Sequence, residues 1–538
     1  MLNYVWLALL LLGIGAAVTT DVINQSNNKY KNDYQITAQV LYKKGFKYQE
    51  NNDVKLKIKS SEFNRVYSEN GAQDIIVDAK SSFDKKGNRN ILFFKVDKTF
   101  PKIWQEMAAA SGKEDDLTGY MNIREPISDS SSNAAIVLEK VSFTKTKQVT
   151  NSALEYAGTA VNIALGLIGI MALWLGLMKI ADEAGLIKII AKGLKPITTR
   201  LFPEVPADHP AMGSMIMNIS ANMLGLSNAA TPFGLKAMEE LDKLNTNKGT
   251  ATNAMVTFLA VNTAGMTLIP ASAIAIRAAA GSADPAVIIG TSLFGSTCAT
   301  IAGLSAAKLL GGTSFKMGFF EYLKAHLKGI VVSILALAAI ISIFASGVFA
   351  KVNFGAGFAE YFKIIVQYFS VFAIPLIIIS FVGYGAYKKV KVYEHFIEGA
   401  KEGFNVAIRI IPYLVAMLVA IGIFRAGGAM EWLIYILQPF TNLIGMPAEA
   451  LPMALMRPLS GSGSLGVMAE TMKVHGPDSL IGIMTSTFFG SSETTFYVLA
   501  VYFGSVNIKN TRHALPVGLI ADVAGTLGAV FICKLLFG

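Results

Sequence analysis

The residues most able to do chemistry in this 538-residue chain sit inside stretches that are otherwise apolar. Glu493 stands in Ser491-Ser492-Glu493-Thr494-Thr495, within the run TSTFFGSSETTFYV at 485–498. An ionisable group inside a membrane span costs roughly 3 kcal/mol on insertion scales, so it marks a functional site or is neutralised by a partner. Hydroxyls beside a carboxylate suit Na+ or a proton, which makes Ser491, Ser492, Glu493 and Thr494 an ion-coupling set. The competing reading is a structural ion pair between Glu493 and Arg457. Arg457 itself could hold an anionic substrate, together with Ser460, Ser462 and Ser464 just after it. A second set of polar groups, Asn218, Asn222, Asn228, Thr231, Asn262 and Thr263, offers neutral donors and acceptors suited to a polar small molecule. Its plainer use is hydrogen bonding between helices, worth about 0.6 kcal/mol per contact in membranes.

Other chemistries lack their constellations. GSGSLG at 461–466 fits G-x-G-x-x-G in form, but neither a strand before it nor an acid about 20 residues after it supports dinucleotide binding. A backbone nest or an exposed helix N-terminus is the physical use that fits. The histidines at 209, 326, 395, 475 and 513 are scattered without metal-ligand spacing, and His209 before Pro210 suits a helix entry. Cys298 and Cys533 lie in apolar runs. With no nucleophile–base pair and no phosphate loop, an enzyme is not expected, nor is a cofactor beyond a coupling Na+ or H+.

The elements that must position these groups follow from how charge is spread. Hydrophobic residues make up 53% of the chain and charged ones only 16%, yet residues 21–150 hold 21 Lys/Arg and 17 Asp/Glu. Two solvents act on one chain. The polar block has strand-like runs, YQITAQVLY, DVKLKIK, DIIVDA and NILFFKV, and a short helix near Pro101–Ala110. Around it the sequence predicts nine apolar spans: Tyr4–Val18, then 158–178, 252–275, 286–307, 329–349, 364–385, 406–424, 480–503 and 514–535. The fold class expected is an α-helical polytopic membrane protein with a small β-rich extracytoplasmic insertion domain.

Two further stretches, 209–238 and 449–472, are apolar but broken by Asn, Ser, Gly and Pro, and read as re-entrant hairpins. Each precedes an unusually polar span, and Thr257/Thr485 and Thr267/Thr495 repeat at one separation. Such a pattern indicates duplication, and the odd number of spans between the copies makes the repeat inverted. Basic residues gather after alternate spans (Lys188, Lys192, Lys195 and Arg200; Lys308, Lys316 and Lys324; Lys388, Lys389 and Lys391; Lys509 and Arg512), whereas intervening loops hold few, such as Arg277. This places the N-terminus in the cytoplasm and both the C-terminus and 24–149 outside. The expected division is 1–23, a first transmembrane helix; 24–149, the insertion domain; 150–312, a first repeat; 313–390, connecting helices; and 391–538, a second repeat. The net charge of +10 is explained by topology, so no nucleic-acid partner is expected. Partners are a small solute and the bilayer; a homo-oligomer and a protein docked on the external domain are compatible with the sequence.

WLGLMKIADEAGL (174–186), GLSNAATPFGLKAMEEL (225–241) and FLAVNTAGMTLIP (258–270) resemble spore maturation protein A. RIIPYLVAMLVAIGIFR (409–425), LMRPLSGSGSLGVM (455–468) and SSETTFYVLAVYFGSVNIK (491–509) resemble spore maturation protein B. The chain is thus similar to both proteins fused, with the polar insertion as the departure. Both halves also resemble the gate, or nucleoside-recognition, domain of concentrative nucleoside transporters and of the membrane part of ferrous iron transporters. The resemblance implies a transporter-like fold in a bacterial inner membrane and leaves the substrate open. The function expected is a secondary transporter or permease for a small polar solute, nucleoside-like or a small anion. The alternative is a non-transporting envelope factor whose external domain docks a partner.

Overall fold

The computed structural model describes residues 2–42, 50–68, 73–84, 89–110, 115–128, 130–225, 227–311 and 356–538. The span expected at 329–349, with Lys316, Lys324 and His326 before it, lies outside them. The chain divides into two compact units, one of residues 7–155 and 422–432, the other of 1–6, 156–421 and 433–538.

In the first unit the alternating runs form strands β1 (Ile36–Leu41), β2 (Asn52–Ile58), β3 (Ile75–Asp84), β4 (Arg89–Lys95), β5 (Asp116–Ser128) and β6 (Ser131–Leu138). Each pairs antiparallel with the next and β6 returns to β1, closing a six-stranded barrel. Alternation decides which side chains face inward: Ile36, Ala38 and Val40 of β1 are buried, as are Val54, Leu56 and Ile58 of β2. Two short helices, α2 (Ser60–Tyr67) and α3 (Lys102–Ala110), complete the core with Phe63 and Trp104. The two rings meet edge-on at 5.6 Å, and the Trp104 indole N–H donates to the Tyr67 hydroxyl at 3.1 Å. At the base, Asp21 of α1 (Leu2–Ser26) accepts from the backbone N–H groups of Lys145 and Thr146 at 2.9 and 2.8 Å. It thereby caps α4 (Thr144–Glu183), satisfying two donors that a helix start leaves open.

The second unit is helical. After α4 come the amphipathic α5 (Leu186–Leu201), then α6 (Pro210–Met223), α7 (Ser227–Leu244), α8 (Asn253–Ala264), α9 (Ala271–Ala279) and α10 (Ile288–Gly311). Beyond the undescribed stretch lie α11 (Ala356–Tyr387), α12 (Val392–Ala426), α13 (Ala429–Leu443), α14 (Leu451–Met456), α15 (Gly461–His475), α16 (Leu480–Gly490), α17 (Thr495–Ser505) and α18 (Ala514–Phe537). Among the described residues, five helical stretches are long and apolar enough to cross a membrane: Tyr4–Ser26, Thr144–Glu183, Pro285–Gly311, Val392–Ala426 and Ala514–Phe537. The apolar runs at 252–275 and 480–503 are not continuous helices, contrary to their reading as simple spans. Each is cut near its middle, the first between α8 and α9 and the second between α16 and α17.

α10 and α18 pack closely because their facing positions are small. A Cβ at Gly303 would lie 3.1 Å from that of Ala521, and one at Gly525 3.1 Å from that of Ala299. Small residues let backbones approach, the main route to helix association where lipid removes the hydrophobic drive.

Candidate functional site

The two cuts have local causes. α8 ends at Gly265, whose φ of 54° is left-handed, and Pro270 cannot donate the N–H that would carry the helix onward. α16 ends at Ser491, and α17 starts only at Thr495. Backbone groups freed inside an apolar protein must find other partners, and here they do. Leu268 N donates to Met223 O at 2.8 Å, at the end of α6. In the second cut Phe496 N donates to Pro458 O at 3.1 Å, and the Arg457 guanidinium donates to Ser492 O. So each interrupted helix leans on the turn of the helix pair preceding it, α6–α7 or α14–α15. The two cuts also touch one another: Glu493 N donates to Thr263 O at 2.8 Å. A Cβ on Gly265 would lie 2.9 Å from both Cγ and N of Glu493.

Around the second cut the expected residues assemble. Arg457, only 5% exposed, ends α14, and its guanidinium is 3.6 Å from a Glu493 carboxylate oxygen and 4.3 Å from the centre of the Phe489 ring. Among the described residues Arg457 Nε has no partner. The ion pair weighed from sequence is therefore present, and the Glu493 side chain keeps 38% exposure beside a buried cation. Ser460 caps α15 by accepting from Gly463 N at 2.9 Å, Ser464 donates to Ser460 O at 2.6 Å, and Ser462 lies 3.4 Å from Ser460 between hydroxyl oxygens. GSGSLG is thus the opening turn of a helix, and a Cβ on Gly461 would stand 3.1 Å from the Thr494 hydroxyl. Ser491, Ser492 and Thr494 are buried.

The first cut carries the amide network. Asn222 donates to Asn262 Oδ1 at 2.9 Å, and the Tyr502 hydroxyl donates to the same oxygen at 3.3 Å. Asn218 donates to Ala230 O at 2.8 Å and to the Tyr502 oxygen at 3.2 Å, while its own Oδ1 is unpartnered. Thr263 is fully buried with an unpartnered hydroxyl. Thr231 lies half-buried on α7, and the Asn228 side chain lies outside the described residues. His209 caps α6 by accepting from Ala211 N at 3.1 Å, the helix entry expected of it.

Two participants went unnoticed in the sequence and a third was misplaced. Tyr502 joins the two Asn residues, although it reads as one more aromatic in an apolar run. Asp522 of α18 is buried, with Oδ2 accepting from the Thr495 hydroxyl at 2.5 Å and Oδ1 without a partner. A lone acid in the run GLIADVAG was the available signal. Arg277, read as a loop charge, is instead fully buried on α9, 2.7 Å from Asp478 and 2.6 Å from Pro477 O. Among the described residues no cluster of His, Cys, Asp or Glu could hold a metal ion.

The sequence matches the model of the gate family, described as nucleoside recognition, over residues 164–280 and 407–509. Those segments contain both cuts and exclude the barrel. Spore maturation protein B of Bacillus subtilis is 49% identical over 174 residues, 32% of this chain and 98% of that protein. Spore maturation protein A of the same organism is 47% identical over 147 residues, 27% of this chain and 75% of that protein. The inner membrane protein YjiG of Escherichia coli is 34% identical over 80 residues, 15% of this chain and 52% of its own length. With spore maturation protein B covered over 98% of its length, spore maturation protein A over 75%, and apolar helices to match, the chain is a membrane protein that belongs to the spore maturation protein A/B family and carries its gate, or nucleoside-recognition, domain.

Proposed function

We propose that this protein is a secondary transporter or permease for a small polar solute, nucleoside-like or a small anion, held where the two interrupted helices meet. The observation that carries the reading is the backbone bond from Glu493 N to Thr263 O, which joins two helix breaks amid buried amides, hydroxyls and a buried guanidinium. Breaks of this kind at membrane depth persist where they are buried in protein or line a wet cavity, and paired breaks are the setting in which transporters hold a solute. In this reading α6–α7 and α14–α15 are re-entrant hairpins of an inverted repeat with about nine spans, bounded as the sequence divides them. The N-terminus is cytoplasmic, and 24–149 and the C-terminus face outward. Asn218, Asn222, Asn228, Thr231, Asn262 and Thr263 read the solute with Arg457, Ser460, Ser462 and Ser464. Ser491, Ser492, Glu493 and Thr494 hold Na+ or H+. No enzymatic step and no resident cofactor enter.

The barrel lies outside both gate segments, which favours a second role for it, as a docking site for an envelope protein. A thermal-stabilisation screen of the detergent-purified chain with nucleosides, small carboxylates and metal ions separates the readings. Stabilisation by one class, lost in Asn262→Ala, is expected for a permease. No response to any class, with the barrel required for cellular activity, favours the docking factor.

A further inference from the structure

Asp522 occupies a position that the ion pair at Arg457 does not explain. It sits on α18 with Gly518 four residues before it and Gly525 three after, so all three share one helix face. That face is turned to the second cut: a Cβ on Gly518 would press on the Thr495 methyl at 2.6 Å, and one on Gly525 would lie 3.7 Å from Ser491 O. The carboxyl between them is 5% exposed and takes one hydrogen bond, from the residue that opens α17. Among the described residues its other oxygen has none.

A buried carboxylate with a single donor is poorly solvated, and such a group is held charged by a cation or neutralised by a proton. The surrounding elements supply few candidates. α8 and α16 carry no titratable side chain, α10 only Cys298 and Lys308, α17 only Tyr497 and Tyr502, and α18 itself only Cys533 and Lys534 besides Asp522. On α11 the described titratable side chains are Tyr368, Tyr384 and Tyr387. None of these bonds to Asp522 among the described residues. Arg457, the buried cation at the second cut, is already committed to Ser492 O and Glu493.

We infer that Asp522 is the proton-binding carboxyl of this membrane domain. The inference rests on the transport reading for its purpose. In the step, a proton from the aqueous phase forms an O–H bond at the unpartnered Oδ1. The carboxyl becomes neutral. Loss of the proton restores the buried anion. Glu493 keeps its place in the Na+ or H+ set at the second cut, beside this second carboxyl.

The test is infrared difference spectroscopy of the full chain in lipid, between acid and alkaline buffer, with no solute added. A protonated-carboxyl C=O band that disappears as pH rises is expected. It should be lost in Asp522→Asn, moved in frequency in Asp522→Glu and kept in Glu493→Gln. A wild-type spectrum without such a band, a band unchanged in Asp522→Glu, or one lost in Glu493→Gln would overturn the assignment. The Glu variant keeps the test decisive if Asp522→Asn does not fold. Because the readout needs no solute, a failed spectrum removes the proton site alone, while a failed solute screen removes the transport reading and leaves the spectrum standing.

Discussion

Replacing Gly265 by Ala tests whether the contact between the two helix breaks holds the membrane domain together. Two costs add. A residue with a Cβ pays about 1–2 kcal/mol in the left-handed conformation that Gly265 adopts, at φ 54°. The new methyl also meets Glu493 Cγ and N at 2.9 Å and the Ser492 carbonyl carbon at 3.1 Å. Two of those atoms are backbone and cannot swing aside, and forced overpacking of this kind costs about 1–3 kcal/mol. The sum is about 2–5 kcal/mol. Gly281 provides the control: its φ of 81° is also left-handed, but nothing lies within 4 Å of an added Cβ, so Gly281→Ala should cost about 1–2 kcal/mol from the backbone alone. Both variants are compared with the parent by reversible unfolding in mixed micelles. Equal destabilisation of the two would refute the packed contact and the account of the site built on it.

Four further outcomes follow from named contacts. Asp478→Asn, which removes the carboxylate paired with the buried Arg277 but lies at a partly exposed position, should cost about 1.5–3 kcal/mol, and Arg277→Met added to it should recover much of that, measured in the same unfolding assay. In the barrel, the Arg65 guanidinium holds the Glu62 carboxyl down to about 2, a lowered folded value, so its stabilisation is present above the ordinary glutamate range and is lost as pH falls from about 4.5 toward 2. Circular dichroism should show a shallower acid transition in Glu62→Gln, and an unchanged one would remove the effect. Cysteine placed at Ser82 should react with an impermeant reagent from outside the cytoplasmic membrane, whereas protection there in permeabilised cells would reverse the proposed orientation. Deleting residues 26–148 through a short linker should leave a monodisperse helical core; aggregation would make the barrel part of that core.

What was legible in the sequence follows from period. Alternation marked the strands β1 to β4. β5 and β6 were harder because Gly119, Glu125 and Pro126 interrupt the alternation and the β5–β6 pairing shifts register between Ile123 and Glu125 and again between Pro126 and Ser128. The polarity of 258–270 and 485–498 marked the stretches in which both cuts lie, but average hydropathy runs unbroken across them. Only Gly265 with Pro270, read as a stop and a restart, would have shown the first cut. Arg277 was misplaced because its partner Asp478 is 201 positions away. Asp522 was hidden for a related reason. A single acid hardly changes the hydropathy of a 24-residue helix, and its significance lies in Thr495, which only folding brings beside it.

The central claim is that the meeting point of the two interrupted helices carries a solute coupled to an ion. Its most direct test is uptake of radiolabelled uridine and of a small dicarboxylate by proteoliposomes holding the wild-type chain or Glu493→Gln, at several pH values with and without Na+. The account predicts saturable wild-type uptake of one probe class that depends on pH or Na+, and a folded Glu493→Gln protein in which that dependence is gone. Wild-type vesicles that take up neither probe, or a variant with unchanged ion and pH dependence, would contradict it.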